Sequence, residues 1–202
     1  MRLYDFLDSG NGYKVRLLLH LLDIQYTLQE VDILKGESRT PEFLKKNPNG
    51  RIPLLEVEPG KFLAESNAML CFLAEGTPYM PTDPWERALV LQWMFFEQYS
   101  HEPNIATPRF WLRHTEMDDA RRAMLETKQA QGRHALGLME EHLTRHVYLV
   151  GEIFSIADIA LYAYTHVAHQ GGFDMRPYRA LKAWMDRIQI QPRHIPMAGA
   201  DV

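Results

Sequence analysis

Asn49-Gly50-Arg51-Ile52-Pro53-Leu54-Leu55-Glu56-Val57-Glu58-Pro59-Gly60-Lys61-Phe62-Leu63-Ala64-Glu65-Ser66-Asn67-Ala68 reads, in order, as a loop, a strand, a tight turn, a second strand and a helix start. Pro53 stands just before Leu54, Leu55 and Val57, and proline has no N–H to give a central ladder. It therefore belongs at the strand's first position or in a special turn. After the Pro59-Gly60 turn, Phe62 and Leu63 supply the partner strand of a hairpin. Glu65-Ser66-Asn67 then precede the apolar run of Met69, Leu70, Phe72 and Leu73, so Ser66 or Asn67 can cap a helix there. Free N–H groups and the positive dipole end at such a start welcome a ligand carboxylate.

Toward the N-terminus, residues 3–6 form a strand candidate, followed by the turn chemistry of Asp8-Ser9-Gly10-Asn11-Gly12. Val15, Leu18, Leu19 and Leu22 then recur with helical spacing, which makes a βα junction. Residues 26–33 form a second strand by β-propensity, and Thr40-Pro41 opens a short helix through Phe43 and Leu44. The order βαβ, α, ββ, α suits a small mixed sheet with helices on its faces. Toward the C-terminus, Pro78, Pro81 and Pro84 mark a linker, beyond which no convincing strand occurs. Residues 85–105 and 117–145 are expected to be helices, the second long and charged. Ser155-Ile156-Ala157-Asp158 has the form of a capping box ahead of another helix. Residues 192–202 read as a tail. The expected domains are 1–76, a linker at 77–84, and an all-helical domain at 85–202.

A chain of 202 residues with 46% hydrophobic composition can bury a real core without disulfides. Its single cysteine, Cys71, excludes an internal disulfide and fits a reducing compartment. A net charge of −4 with mixed signs argues against a nucleic-acid partner. The N-terminus lacks a signal-peptide core, and the apolar run at 17–22 is far too short to span a membrane. A cytoplasmic location is expected.

The pairs Ile52-Pro53 and Glu65-Ser66 resemble the glutathione-binding half of the soluble glutathione transferases, whose N-terminal domain is thioredoxin-like α/β and whose C-terminal domain is all-α. The capping box at Ser155 resembles that family's helical domain, so the resemblance spans the chain. It implies a cis proline at Pro53, with the backbone of Ile52 pairing with the cysteinyl unit of glutathione like an added strand. It also implies that Glu65 meets the γ-glutamyl ammonium, Ser66 its carboxylate, and Lys35 the glycyl carboxylate; Arg51 lies nearby on the loop before Ile52, and either cation can instead be an ordinary solvated charge. The tyrosine of the alpha, mu and pi classes has no counterpart, because Asp5 and Phe6 stand in its place. Ser9 fits the serine of theta and zeta proteins, and Ser9-Gly10-Asn11-Gly12-Tyr13-Lys14 resembles the bacterial nu class pattern of Thr-Pro-Asn-Gly followed by a basic residue. The catalytic candidates are thus Ser9, as donor to the sulfur, and Asn11; alternatively both merely cap the helix.

The implied activity is a glutathione S-transferase: glutathione, activated as a thiolate, attacks a small electrophile. Glutathione-dependent disulfide reduction is the alternative, and a non-catalytic binding protein on the same fold a third. The family also implies a homodimer. Cys71 reads as core and the aromatic group Trp93, Phe95, Phe96 and Tyr99 as mostly helix packing. His142 and His146 lack the further ligands that a metal site needs, and no metal is expected.

Overall fold

A computed structural model of the chain describes residues 1–198; the last four residues of the expected tail, 199–202, lie outside the described residues. Contacts divide the described residues into two compact units, one of residues 1–75 and 192–198, the other of Gly76–Gln191. The tail was expected to follow the helical half. Its described part, 192–198, packs instead in the first unit, where the Tyr13 hydroxyl donates to the Ile195 carbonyl at 2.7 Å and Arg193 pairs with Asp23 at 2.9 Å.

The first unit is a four-stranded mixed sheet in the order β2-β1-β3-β4. Strand β1 (Arg2–Asp5) runs parallel to β2 (Thr27–Glu30), and helix α1 (Gly10–Leu21) makes the crossover that a parallel pair requires. Strand β3 (Leu54–Glu58) pairs antiparallel with β1, Tyr4 opposite Leu54, and with β4 (Lys61–Leu63) through the expected hairpin. Both edge strands are short. Tyr4, Val31, Phe43 and Leu54 form a core cluster against which Ile52 packs. Helix α2 (Pro41–Leu44) carries proline in its first turn and a Thr40 cap, as its sequence requires. Helix α3 (Ser66–Ala74) closes the unit.

The second unit is helical apart from two isolated bridges at Tyr148–Gly151 and Val150–Ile153. Helix α4 (Pro84–Phe96) is capped by Asp83 and passes through a π turn (Glu97–His101) into α5 (Glu102–His114). Only one helix ending near Ile105 was expected; the chain stays helical through Pro108, nine residues further. Helix α6 (Asp119–Leu143) is long and largely polar, and α7 (Ile156–Thr165) is buried along its whole length behind the expected capping box. Helix α8 (Arg179–Gln189) buries Leu181, Trp184 and Ile188, one face at helical spacing. Phe95 and Tyr99 were expected to pack, yet they are 70% and 86% exposed. Among the described residues, no helix is long and apolar enough to cross a membrane.

Candidate active site

The βα turn is built around a buried ion pair. Asp5, at the end of β1, is fully buried, where it accepts from Arg16 Nε of α1 at 2.8 Å and from the Phe6 N–H at 2.8 Å. Burial pushes its carboxyl up to about 7, opposed chiefly by the Arg16 charge. Arg16 also donates to the Leu7 carbonyl. The pair clamps α1 onto the strand, and α1 approaches so closely that a Cβ on Gly12 would overlap the Asp5 carboxylate.

Ser9 is the N-cap of α1, its Oγ accepting from the Gly12 N–H at 3.2 Å. The capping reading of Ser9 therefore holds as geometry. It does not consume the hydroxyl proton, because a serine oxygen accepts with a lone pair while its O–H donates elsewhere. Asn11 lies in the first turn of α1, two residues on.

The Ile52–Pro53 bond is cis, as expected. The preceding loop is shaped by Asn47, which donates to the Arg51 carbonyl at 2.8 Å and accepts from the Asn49 N–H at 3.1 Å. Strand β3 begins only at Leu54, so the backbone of Ile52 lies beyond the ladder with β1.

At the start of α3 the structure departs from the expected cap. Ser66 and Asn67 do not cap: Ser66 is the first helical residue, and the cap position falls to Glu65, whose side chain makes no capping bond. Glu65 sits at φ +67°, ψ 112°, a conformation that disfavours any side chain. The Ser66 hydroxyl is thereby turned toward α1, where it reaches Asn11 Oδ1 at 3.4 Å. Lys14 comes to the same place: its Nζ is 3.4 Å from Ser66 Oγ and 3.5 Å from Asn67 Oδ1, and the residue is fully buried.

Ser66 and Asn11 are thus direct neighbours, with Ser9 capping the same turn and Glu65 adjoining Ser66. Lys35 is not part of this cluster. It is exposed in a short 3-10 turn (Ile33–Lys35), pairs with Asp32 at 2.9 Å, and has its pKa raised by that bond. Arg51 is exposed. Two residues not assigned a site role from sequence, Lys14 and Asn67, belong to the cluster. Lys14 carried a signal: it lies one helical turn after Asn11, amid the apolar Tyr13, Val15, Leu17, Leu18 and Leu19.

Cys71 is only partly buried, not core. The His142 and His146 rings stack at 4.1 Å, His142 Nε2 lying 3.1 Å from the Leu149 carbonyl. Among the described residues, no group of three or more His, Cys, Asp or Glu is placed to hold a metal ion.

Residues 1–75 match the family model of the glutathione S-transferase N-terminal domain, and residues 100–192 that of the C-terminal domain. The disulfide-bond oxidoreductase YfcG of Escherichia coli (strain K12) is 31% identical over 194 residues, covering 93% of this chain and 89% of that protein. A crystal structure of a glutathione S-transferase from Pseudomonas fluorescens Pf-5 superposes with a TM-score of 0.95 at 53% identity, covering 98% of each chain. A glutathione transferase family member from Pseudomonas fluorescens Pf-5, solved with two glutathione molecules bound, superposes with a TM-score of 0.82 at 26% identity, covering 95% of this chain and 89% of that one.

Proposed function

Because the chain belongs to the glutathione S-transferase family, we propose that it binds glutathione in residues 1–76 and activates it as a thiolate that attacks a small electrophile. The observation that carries this reading is the meeting of Ser66 with Asn11, which joins the α3 start to the catalytic turn. Glutathione offers two carboxylates, one ammonium and a thiol, and the donor set suits them. The α3 start with Ser66 takes the γ-glutamyl carboxylate, and Glu65 the ammonium. Ile52, set before β3 by the cis bond to Pro53, takes the cysteinyl amide. Lys35 takes the glycyl carboxylate, in competition with Asp32. Ser9 directs its hydroxyl proton at the sulfur, and Asn11 assists from the next turn.

A free thiol titrates at about 8.5, and a donor together with a helix N-terminus lowers that value. The test is the ultraviolet difference spectrum of bound glutathione against pH. The thiolate band is expected to titrate at roughly 6 to 7, and more than tenfold slower turnover is expected of Ser9→Ala. No band and no saturable binding at millimolar glutathione would overturn the reading.

Disulfide reduction is the second reading, favoured by the similarity to YfcG across nearly the whole chain. The thiolate attacks one sulfur of a small disulfide, the other sulfur leaves as a thiolate, and a second glutathione resolves the mixed disulfide. Two glutathiones are oxidised and one disulfide is reduced, with no protein cysteine required. Turnover of an aryl halide against that of a small disulfide separates the two. We place the protein in the cytoplasm as a two-fold homodimer; a solution mass equal to one 23.5 kDa chain would refute the dimer.

Glu65 provides a prediction that separates stability from binding. At φ +67° glycine is unstrained whereas glutamate is not. Glu65→Gly is expected to raise the unfolding free energy by about 1 kcal/mol while weakening glutathione binding. Glu65→Ala, which keeps the strain, should lose the binding without the gain. Urea unfolding and calorimetric titration read the two effects.

A further inference from the structure

We propose that residues 192–198 form a strap that positions the first turn of α1 through Tyr13, so that the geometry offered at Ser9 depends on the strap being docked. The inference rests on the glutathione reading above for what that turn does, and adds to it a positioning residue and a segment remote in sequence.

Tyr13 is the fourth residue of α1 and is fully buried. A buried phenol needs a partner for its O–H. That partner comes from 182 residues away: the hydroxyl donates to the Ile195 carbonyl at 2.7 Å, with His194 Nε2 at 3.3 Å. The backbone N–H of Tyr13 donates to the Ser9 carbonyl at 2.9 Å, which closes the first turn of the helix. One residue thus ties the strap by its side chain and the Ser9 cap by its main chain. A ring that shifts with the strap moves the turn that carries Ser9 and Asn11.

The strap has a second attachment at the other end of α1. Arg193 pairs with Asp23, the second residue beyond that helix, at 2.9 Å. Both residues sit at positive φ, +66° and +57°, a backbone shape that glycine adopts more readily. Pro192 and Pro196 restrict φ on either side, and Met197 is buried. The contact is not continuous: a cavity of about 520 Å³ opens there, lined by Leu19 and His20 of α1, Tyr26, Arg193 and Ile195. A segment held at points rather than along a packed face opens at low free energy. The Arg193–Asp23 pair is about half exposed and contributes little, so the Tyr13 bond and the burial of Met197 are the main hold. Docking of the strap and order in the turn are therefore coupled, and the coupling is reciprocal.

The experiment compares the wild-type chain with Tyr13→Phe, which removes one hydroxyl, and with Arg193→Pro. The proline ring fixes φ at about −65° and cannot follow a path at +66°. Arg193→Gly keeps that path while losing the ion pair, and is expected to behave as wild type. Amide hydrogen exchange of the ligand-free chain is the first readout. Protection of the Gly12 and Tyr13 amides is expected to fall roughly fivefold to tenfold in Tyr13→Phe and Arg193→Pro, while Leu70 and Leu73 in α3 keep theirs. The second readout is the ultraviolet titration of bound glutathione. In the same two variants the thiolate band should titrate about half a pH unit higher, with glutathione affinity changed less than about twofold. Unchanged exchange at Gly12 and Tyr13 would overturn the proposal, and so would an equal loss of protection in α3, the mark of a purely structural contact. Altered exchange with an unmoved thiolate band would overturn it too, because the strap would then hold the turn without setting the site. If Arg193→Pro does not fold, Tyr13→Phe and Arg193→Gly carry the comparison. Failure of the wild type to bind glutathione would instead sink the functional reading, and exchange alone would decide whether the strap holds the turn.

Discussion

Alanine at Asp158 lowers the unfolding free energy of the chain by about 4 kcal/mol, far more than its small volume change implies. The side chain is fully buried and accepts four hydrogen bonds. Oδ1 takes the Leu149 N–H and the Trp184 indole N–H, each at 2.9 Å; Oδ2 takes the Ser155 N–H at 2.9 Å and the Ser155 hydroxyl at 3.2 Å. One carboxylate thus joins the start of α7, the bridged turn before it and helix α8. Burial pushes the carboxyl up to about 6, with all four donors acting in the opposite direction; four donors converging on its two oxygens are the partners of a carboxylate. Removing it orphans three N–H donors in a dry interior, each at about 1 to 3 kcal/mol, offset in part by relaxation and entering water. Asparagine restores one acceptor oxygen but turns an NH2 toward the Ser155 donors, and about half the loss should remain. Urea unfolding followed by circular dichroism measures both variants. A loss below about 1 kcal/mol for Asp158→Ala would mean that the donors find other partners.

This capping box was legible from four consecutive residues because its interactions are local in sequence. The same holds for the hairpin at Pro59-Gly60 and the strand starting after Pro53, where proline and glycine restrict the backbone regardless of what surrounds them. Trp184, by contrast, meets Asp158 across 26 residues, and nothing in the sequence near either residue announces the contact. Helix α8 was not singled out, although Leu181, Trp184 and Ile188 carry the spacing. Ser66 shows a subtler limit. The sequence offers three polar residues before an apolar run, and propensity favours serine or asparagine as the cap. The structure gives that position to Glu65 at positive φ, which no propensity for glutamate foretells, and Ser66 is released to face α1. Lys35 was placed in the site by resemblance alone, and its partner is Asp32. Lys14 matched only the basic position of a turn pattern and was given no role, although a lysine on a helix otherwise lined by Tyr13, Val15, Leu17, Leu18 and Leu19 has to be buried against something.

Gly12→Ala is the second substitution with a large expected effect, and it acts where the fold meets the proposed chemistry. In most helices this change is stabilising by up to about 1 kcal/mol. Here the new Cβ would fall on the Asp5 carboxylate. Asp5 has no room to yield: it is fully buried and bound to Arg16 and to the Phe6 N–H. Either α1 withdraws from β1 or the ion pair opens, and a buried guanidinium without its carboxylate costs about 3 to 5 kcal/mol. The expected loss is about 3 kcal/mol, together with a sharp fall in turnover, since a withdrawn α1 carries Ser9, Asn11 and Lys14 with it. Gly137→Ala is the control: Gly137 also lies within a helix, a Cβ there meets open space, and a small gain is expected. Adding Asp5→Ala to Gly12→Ala removes the overlap but leaves Arg16 buried without its carboxylate, so it should not restore stability. If Gly12→Ala unfolds at the wild-type urea midpoint with full turnover, the Asp5–Arg16 clamp does not fix the proposed catalytic turn. If it loses stability while keeping its turnover, the clamp holds the fold together without setting the site.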